Sequence, residues 1–231
     1  MTKRPNLSLI LPVHNEASSV QKTLSDCERV LRAGKISYEM LCVENGSSDG
    51  SLSVLKTYAK DHKRVFIYQS GLGWGNAVRE GIRRARGELV CYMVSDGQVP
   101  ASSVVTLYQA FKKNTDKDIV LFKIWRTSRE NSVRLINSRL FAVFSVVLFG
   151  FFVRDVNATP KLLPRIILQK IPLTATNIAV DLELLLGVRA LGLRFVEIPV
   201  PGKPREAGRS TTKWKTVWEM IRWMVKKRFS V

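Results

Sequence analysis

The sequence predicts an α/β fold in which helices flank a mostly parallel sheet. Short apolar runs of strand length alternate with helical patterns through the first half of the chain, and this rhythm is typical of parallel sheets covered by helices. Polar residues follow several of the apolar runs directly, as they do at the carboxyl ends of parallel strands. With 231 residues and 45% hydrophobic content, the chain can bury one sizeable core. We therefore expect one α/β domain with a C-terminal appendage.

Five apolar runs in the first half have the length and composition of buried strands. Helical patterns fill most of the gaps between them. The predicted strands are 7–12, 38–43, 65–68, 89–94 and 118–122.

The pattern changes after residue 123. A basic segment is followed by a Phe-rich stretch at 140–153, a Pro-punctuated stretch at 159–172, and a helix-plus-strand pair at 181–198. The Phe-rich stretch is shorter than the roughly 20 residues that a membrane-spanning helix needs. It is flanked by Arg134, Arg139 and Arg154, so it is either an ordinary buried helix or a segment that lies in a membrane interface.

The C-terminal appendage is predicted to be a basic amphipathic helix. A Pro/Gly-rich basic loop at 199–212 precedes it, and the segment 213–228 places Trp214, Trp218, Ile221 and Val225 on one side. Together with Trp223, the tryptophans of this helix are expected at a membrane interface. The predicted domains are thus an α/β domain at 1–212 and the helix at 213–231.

The charge and the cysteines indicate what the protein binds and in which kind of compartment it folds. The formal charge of +18 implies a polyanionic partner, which nucleic acid, an anionic membrane surface or a phosphorylated substrate could each provide. Cys27, Cys42 and Cys91 lie in apolar stretches without metal-like spacing, so we expect buried thiols in a reducing compartment. The N-terminus leads at once into a strand-like run with no signal-peptide pattern. His62 lies in a charged run, and we expect it to be solvated.

Polar motifs cluster at the ends of the predicted strands. Asp96 and Gln98 follow the strand at 89–94, a pattern typical of a site for a charged ligand. The first strand ends in Pro-Val-His-Asn-Glu at 12–16, and the second ends in Val-Glu-Asn-Gly-Ser-Ser-Asp-Gly at 43–50. A Gly-rich turn at 71–81 enters a helix, which alone is weak evidence because such turns are common. The set predicts binding of a phosphorylated, nucleotide-like ligand.

In this order, the motifs resemble those of the family 2 glycosyltransferases, and in particular the polyprenyl-phosphate sugar synthases among them. The P-x-Y-N-E motif of that family is matched at 12–16, its V-D-D-G-S-x-D-G motif at 43–50, its G-x-G-x-A-x-x-x-G element at 73–81 and its D-x-D-x-Q motif at 94–98. Segments 155–161, 181–184, 197–200 and 205–210 resemble later family elements, so the similarity covers roughly residues 7–212. The resemblance implies a GT-A-type, Rossmann-like fold.

The resemblance also implies roles for individual residues. Asp96 and Arg205 are the implied catalytic residues, and Asp96 and Gln98 the implied ligands of Mg²⁺ or Mn²⁺. The implied acceptor-phosphate site consists of Arg126, Arg134 and Ser138. The implied donor-binding residues are Pro12, His14, Glu16, Glu44, Asn45, Asp49, Gly73, Ser95, Asp96, Gln98, Arg205 and Arg209.

Two departures from the family pattern affect this site. Glu44 and Asn45 stand where the family usually has two aspartates, and Val94 replaces the first Asp of D-x-D. A hard divalent cation prefers several oxygen ligands, so Asp96, Gln98 and a substrate diphosphate would bind it less tightly than the full motif. Arg205 or Arg209 could instead neutralise the diphosphate, since guanidinium pairs bidentately with phosphate oxygens.

The activity implied by the resemblance is inverting transfer of a sugar from a nucleotide-diphosphate sugar to a polyprenyl phosphate. Together with the basic C-terminal helix, it implies a protein peripherally attached to the cytoplasmic face of a membrane. The expected partners are the nucleotide sugar, the lipid phosphate and the anionic membrane surface, and a membrane-protein partner or a second copy of the chain is compatible with them.

Three alternatives stay open at the level of sequence. The acceptor could be a saccharide or a protein, with Asp181 or Glu183 as catalytic base, although such a pair is also common at the start of a helix. Because of Val94, the protein could be a non-catalytic relative. A nucleic-acid-binding protein would explain the charge, but no specific nucleic-acid motif is present, so we expect no specific nucleic-acid partner.

Overall fold

A computed structural model of the chain describes residues 4–127, 143, 146–201 and 222–223. The strands in these residues are β1 (Leu7–Val13), β2 (Tyr38–Glu44), β3 (Val65–Gln69), β4 (Leu89–Tyr92), β5 (Ile119–Arg126), β6 (Lys161–Pro164) and β7 (Arg194–Val200). They form one seven-stranded sheet with the spatial order β3-β2-β1-β4-β6-β5-β7. Neighbouring strands are parallel except where β6 pairs with β4 and with β5. The predicted mostly parallel α/β sheet is confirmed.

Helices cover both faces of the sheet. They are α1 (Val20–Ala33), α2 (Ser51–Asp61), α3 (Trp74–Arg84), α4 (Ser102–Lys113), the short α5 (Arg165–Leu168) and α6 (Val180–Ala190). Because successive side chains of a strand point to opposite faces, Leu9 of β1 packs in one apolar layer with α1, α2 and α4, while Ile10 packs in the other with α3 and α6. Both layers are closed to solvent, so the sheet is a rigid support for the loops at its edges.

Strand β6 is the element that the sequence analysis missed. It lies in the Pro-punctuated stretch and runs antiparallel between β4 and β5, with Leu162 and Leu163 fully buried. Its four residues begin with Lys161 and end at Pro164, and a charge or a proline in a short run argues against a strand. The tertiary contacts override that local signal.

Two predicted strand ends also differ from the structure. β5 continues past the predicted end at 122 to Arg126, and β4 ends at Tyr92.

The structure confirms the expectation for the three cysteines but not the one for His62. Cys27, Cys42 and Cys91 are buried free thiols, as expected, and burial raises the pKa of Cys27 to about 12, so that thiol is unreactive at neutral pH. The expectation for His62 was wrong. Its side chain is 29% exposed, its ring stacks on Tyr58, and its Nδ1 lies within hydrogen-bonding distance of the buried Glu28 carboxylate.

The segments predicted to contact a membrane are described only in part. In the Phe-rich stretch, Val147 and Phe152 are exposed, whereas Phe151 and Val153 are buried. The exposed side chains are at odds with a helix that is buried throughout, and contact with a membrane interface stays a prediction. Of the predicted C-terminal helix, only residues 222 and 223 are described. Trp223 is half-buried and packs against the buried cluster of Ala175, Ala179 and Val180, and its contact with a membrane interface stays a prediction. Among the described residues, no helix has the length and apolarity to span a bilayer.

Candidate active site

The carboxyl ends of β1, β2 and β4 meet at one edge of the sheet. The chain passes from β1 to β2 and β3 on one side and then returns to β4 on the other side of β1. In open α/β sheets, the crevice at such a reversal of strand order is where ligands bind. The predicted residues that the structure brings to this edge are Pro12, His14, Glu16, Glu44, Asn45, Asp49, Ser95, Asp96 and Gln98.

Hydrogen bonds hold the loops after β1 and β2 against each other. His14 Nδ1 lies 2.8 Å from the Asn45 carbonyl oxygen. The backbone N–H of Glu16 donates to the Ser51 hydroxyl at 2.9 Å, and that of Ala17 donates to the Asp49 carboxylate at 3.0 Å. These two loops therefore form one pre-organised wall of the crevice.

Glu44 and Asp49 stabilise this wall in their ionised, carboxylate form. Burial alone would raise the pKa of Glu44, but hydrogen bonds from the Ser47 backbone N–H and the Gln69 side-chain amide outweigh it and lower the pKa from its ordinary value. Burial also raises the pKa of Asp49, and hydrogen bonds from Ser51 and the Ala17 backbone N–H again lower it overall. Because each carboxylate already accepts protein hydrogen bonds, its main contribution is to fix the loop backbone.

Asn45 connects this wall to the Gly-rich turn. Its side-chain Oδ1 accepts a hydrogen bond from the Gly73 backbone N–H at 2.8 Å. Gly73 has a φ of +126°, and a Cβ atom there would lie 2.3 Å from the Thr176 carbonyl oxygen. That carbonyl also accepts a hydrogen bond from the Asn76 backbone N–H in the first turn of α3, at 3.3 Å. The glycine is therefore required by close backbone packing, whatever its part in ligand binding.

The opposite wall is the segment after β4. The Ser95 hydroxyl donates to the Pro12 carbonyl at 2.8 Å, which ties this segment to the end of β1. Asp96 is 5% exposed, and its Oδ1 accepts a hydrogen bond from the Gln98 backbone N–H at 3.1 Å. Gly97 between them has a φ of +74°, the left-handed conformation that favours glycine. The turn thus fixes the Asp96 carboxylate at the strand end.

The predicted donor set for a metal ion consists of the Asp96 carboxylate and the Gln98 side-chain amide. Val94, at the position of the missing aspartate, is half-buried and packs against the apolar core. Among the described residues, no group of three or more His, Cys, Asp or Glu side chains could hold a metal ion. Asp96 and Gln98 therefore do not form a cage by themselves, but they fit a cation that takes its other ligands from substrate phosphates and water, as Mg²⁺ commonly does.

Arg126 lies at the end of β5, on the other side of β6 from β4. Its guanidinium donates two hydrogen bonds to the Asp155 carboxylate, from Nε at 3.0 Å and from Nη2 at 3.3 Å. This bidentate pair fixes the guanidinium plane. The other predicted acceptor-site residues, Arg134 and Ser138, and the predicted donor-site residues Arg205 and Arg209 lie outside the described residues.

Two buried lysines behind this edge were missed by the sequence analysis. Lys123 is fully buried and donates to Glu197 at 2.8 Å, and Lys161 is fully buried and pairs with Asp181. Burial lowers the pKa of both ammonium groups, and the paired carboxylates oppose that shift only in part. A single lysine inside an apolar run, as Lys123 is, was the available sequence signal.

Asp181 and Glu183, the candidate bases of the alternative function, are both buried. Asp181 accepts hydrogen bonds from Trp74 and Tyr92 as well as from Lys161. Glu183 accepts hydrogen bonds from the backbone N–H groups of residues 174 and 175, at 2.7 and 2.8 Å. Both carboxylates therefore act as internal acceptors, which favours a structural role over that of a base acting on a substrate hydroxyl.

Solved structures that superpose on this chain show which fold it has. The glucosyl-3-phosphoglycerate synthase of Mycobacterium tuberculosis, crystallised with Mn²⁺, UDP and glucosyl-3-phosphoglycerate, superposes with a TM-score of 0.77 at 17% identity. The match covers 98% of this chain and 81% of that one. A second structure of that enzyme, with Mn²⁺, UDP-glucose and phosphoglyceric acid, gives a TM-score of 0.75. The fold is therefore GT-A, as the motifs predicted.

The family follows from the sequence match. The model of the family described as Glycosyl transferase family 2 matches residues 8–167, and the chain belongs to that family. The dolichyl-phosphate beta-glucosyltransferase ALG5A of Trichomonas vaginalis is 27% identical over 210 residues, covering 84% of this chain and 64% of its own length. The dolichyl-phosphate beta-glucosyltransferase of Drosophila melanogaster is 28% identical over 230 residues, covering 90% of this chain and 70% of its own length. This chain thus spans somewhat less than two thirds of the Trichomonas protein.

Proposed function

We propose that the protein is an inverting glycosyltransferase that moves a sugar from a nucleotide-diphosphate sugar to a polyprenyl phosphate. The observation that carries the proposal is the turn of Asp96 and Gln98 at the reversal of strand order, beside the wall that contains His14 and Asn45. Membership of family 2 and the two dolichyl-phosphate relatives support it. Because both relatives are named glucosyltransferases, glucose is the sugar to test first.

The donor would lie along the carboxyl edge of β1, β2 and β4. The loops at 12–16 and 44–49, with Gly73, would hold the nucleoside, and Ser95, Asp96 and Gln98 would lie at the diphosphate. Arg205 and Arg209 would add positive charge at the leaving group. In this arrangement Asp96 and Arg205 are the catalytic residues.

A Mg²⁺ or Mn²⁺ ion would be held by Asp96 and Gln98 together with the diphosphate of the donor. Bound there, the ion would supply positive charge to the leaving nucleoside diphosphate. Arg205 and Arg209 would also neutralise charge on the diphosphate, so sugar transfer would depend less on the metal ion. This agrees with the motif having a single carboxylate, Asp96.

The chemistry needs no strong base. A phosphate oxygen of the acceptor attacks the anomeric carbon from the face opposite the nucleotide, the new C–O bond forms as the bond to the diphosphate oxygen breaks, and the configuration inverts. The acceptor phosphate is anionic near neutral pH, so no proton has to be removed from it during the attack. The tasks of the protein are orientation of two anions and stabilisation of charge on the departing diphosphate.

Arg126 would bind the acceptor phosphate, with Arg134 and Ser138 as further ligands. Two of its five N–H donors are used by Asp155, which leaves the rest of the guanidinium for a phosphate. The paired carboxylate keeps the planar group in one orientation, which suits bidentate recognition.

The lipid part of the acceptor would lie at the exposed apolar side chains of the Phe-rich stretch. Val143, Val147 and Phe152 are each more than half exposed. Arg154 lies over the rings of Trp125 and Phe152, with its guanidinium carbon 5.5 and 5.9 Å from their centroids. A basic group beside apolar and aromatic side chains is the composition of a membrane-interface surface.

We propose peripheral attachment on the cytoplasmic face of a membrane. The three free thiols are in keeping with this location, because thiols stay reduced in the cytosol.

One observation favours a second candidate function. Val94 removes a carboxylate at the metal motif, and a relative that binds nucleotide sugar without transferring it would tolerate that loss. Such a protein would bind the nucleotide and support a partner subunit.

The experiment is a transfer assay with the purified chain, a short polyprenyl phosphate and radiolabelled UDP-glucose, followed by GDP-mannose and other nucleotide sugars. Label is counted in the organic phase with and without Mg²⁺ or Mn²⁺. We expect transfer that falls at least about 100-fold in Asp96→Asn, since loss of transition-state charge stabilisation commonly costs that much. Asp116→Asn is the matched control, because Asp116 pairs with Arg194 at the opposite edge of the sheet. Nucleotide binding without transfer from any donor would favour the second candidate.

A further inference from the structure

The Asp181 carboxylate accepts hydrogen bonds from three side chains on three separate elements. The indole N–H of Trp74 donates to Oδ2 at 3.1 Å, the hydroxyl of Tyr92 donates to Oδ1 at 2.8 Å, and the ammonium of Lys161 donates to Oδ1. Asp181 lies in the first turn of α6 and is 2% exposed. Inside a protein, where the effective dielectric constant is low, such a fully satisfied network stiffens the elements that it joins.

Two of these donors lie directly behind the two walls of the candidate active site. Trp74 follows Gly73, whose backbone N–H is held by the Asn45 side chain at 2.8 Å. Tyr92 is the last residue of β4, and the turn with Asp96 follows it. Asp181 thus links the wall that contains Asn45 to the wall that contains Asp96, from behind the sheet edge.

Lys161 ties the same carboxylate to the middle of the sheet. In the ladder it is opposite Tyr92 of β4 and opposite Lys123 of β5. Its ammonium lies 5.5 Å from the centroid of the Tyr92 ring. Removing one member of a buried ion pair leaves an uncompensated charge, so the pair resists rearrangement.

We propose that Asp181 is a positioning residue for the nucleotide sugar, which sets the spacing of the Asn45 wall and the Asp96 wall through Trp74 and Tyr92. This role rests on the proposed function, because it assumes that the donor binds between those walls. Asp181 does not itself touch the substrate. Its loss weakens donor binding in a folded protein and leaves acceptor binding unchanged.

The test compares Trp74→Phe, Tyr92→Phe and Asp181→Asn with wild type. The first two remove a single hydrogen-bond donor and keep an aromatic ring. In the third, an amide with one acceptor oxygen meets three donors, so at least one loses its partner. The controls are Tyr38→Phe, which removes a hydroxyl bonded to Glu28, and Glu39→Gln, which changes a buried carboxylate paired with Arg86 at the start of β2.

Four quantities are measured for each variant: the dissociation constant for UDP, or for GDP if wild type binds only GDP; the donor KM; the acceptor KM; and the thermal midpoint. We expect Trp74→Phe, Tyr92→Phe and Asp181→Asn each to raise the nucleotide dissociation constant and the donor KM about ten-fold, the usual effect of losing a hydrogen bond to a charged group. The acceptor KM stays at the wild-type value. If Asp181→Asn fails to fold, Asp181→Asn with Lys161→Met removes both charges, and it should regain stability but not donor affinity.

The outcomes separate the two proposals. If the variants lose only thermal stability, as the controls do, and bind nucleotide like wild type, the positioning role is overturned while the proposed function stands. If wild type itself binds none of the nucleoside diphosphates of the donors assayed, the proposed function fails, and the positioning role fails with it.

Discussion

Val94 occupies the position at which the motifs of family 2 place the first aspartate of the metal site. Its side chain is half-buried and packs against the core, and its backbone N–H lies 3.3 Å from the Thr159 hydroxyl. A carboxylate there would stand two residues before Asp96. Because affinity for hard cations rises with the number of charged oxygen ligands, we expect Val94→Asp to lower the half-saturating Mn²⁺ concentration of transfer about ten-fold.

Val94→Asn is the matched control, since it introduces a polar side chain of the same size without charge. Metal titration of the transfer rate in the three proteins is the measurement. Equal Mn²⁺ dependence in Val94→Asp and Val94→Asn would show that position 94 does not lie at the metal.

Arg126 allows a separate test of the acceptor site. Its guanidinium is held by Asp155, and we expect Arg126→Gln to raise the KM for polyprenyl phosphate about ten-fold while the donor KM is unchanged, because a charge-assisted bond to phosphate is lost. Arg86→Gln is the control, because Arg86 pairs with Glu39, a carboxylate as buried as Asp155 and located near the amino end of β2. An increase in donor KM alone would move Arg126 to the donor site.

At the level of residues, the sequence predicted which side chains reach the edge but not what holds them. His14, Asn45 and Asp96 follow apolar runs, and such runs reliably mark buried strands. The partners of Lys123 and Lys161 are Glu197 and Asp181, which are distant in sequence. Only the assembled sheet brings these charges together, so no local pattern could pair them.

At the level of elements, strand β6 could not be predicted from the local sequence. Its neighbours β4 and β5 could be predicted because each contains an apolar run of strand length. β6 has four residues bounded by Lys161 and Pro164, and its pairing with both neighbours comes from tertiary contacts. The sheet order therefore had to come from the structure.

The buried Lys161 of β6 gives stability a defined dependence on pH. Burial lowers the pKa of its ammonium to about 8 from the usual 10.5, with Asp181 and Asp155 raising it and Lys123 lowering it further. Between these two values the unfolded chain binds more protons than the folded one, so this group makes the free energy of unfolding rise with pH.

The measurement is urea unfolding of wild type and Lys161→Met at several values from pH 8 to 9.5. We expect the free energy of unfolding of wild type to increase relative to that of the variant as the pH rises. Tyr92, whose pKa is raised by burial, is present in both proteins and cancels in the difference. A relative decrease would mean that Lys161 keeps its charge in the folded state up to a higher pH than in the unfolded chain.

For the whole molecule, the charge of +18 predicts salt-dependent binding to anionic membranes. Basic groups near an anionic leaflet contribute on the order of 1 kcal/mol each, so replacing Lys226, Lys227 and Arg228 by Gln should weaken vesicle binding roughly 100-fold. Sedimentation with phosphatidylserine-containing vesicles measures this.

The control replaces Lys112, Lys113 and Lys117 by Gln, an equal change in charge near the start of β5. Equal losses in the two triple variants would indicate that total charge, rather than the predicted helix at 213–231, drives attachment. Retention of binding at high salt in both would contradict an electrostatic mechanism.

The fold class and the family of the whole chain could be predicted because both depend on the order of motifs along the sequence. The strand runs predicted the mostly parallel α/β sheet, and the resemblance of the ordered motifs to family 2 implied the GT-A architecture. The identity of the sugar depends on the shape of a pocket built from several loops, and that shape is set by long-range contacts such as Gly73 with Thr176.

The most direct test of sugar transfer to a lipid phosphate is the ratio of two products in one reaction. Purified protein is incubated with UDP-glucose and a polyprenyl phosphate, and the released UDP and the lipid-linked glucose are measured together. Transfer by the proposed chemistry predicts one lipid-linked sugar for each UDP, and no UDP release above background when the lipid phosphate is left out. UDP released without a lipid-linked product, at the same rate with and without the lipid, would contradict it.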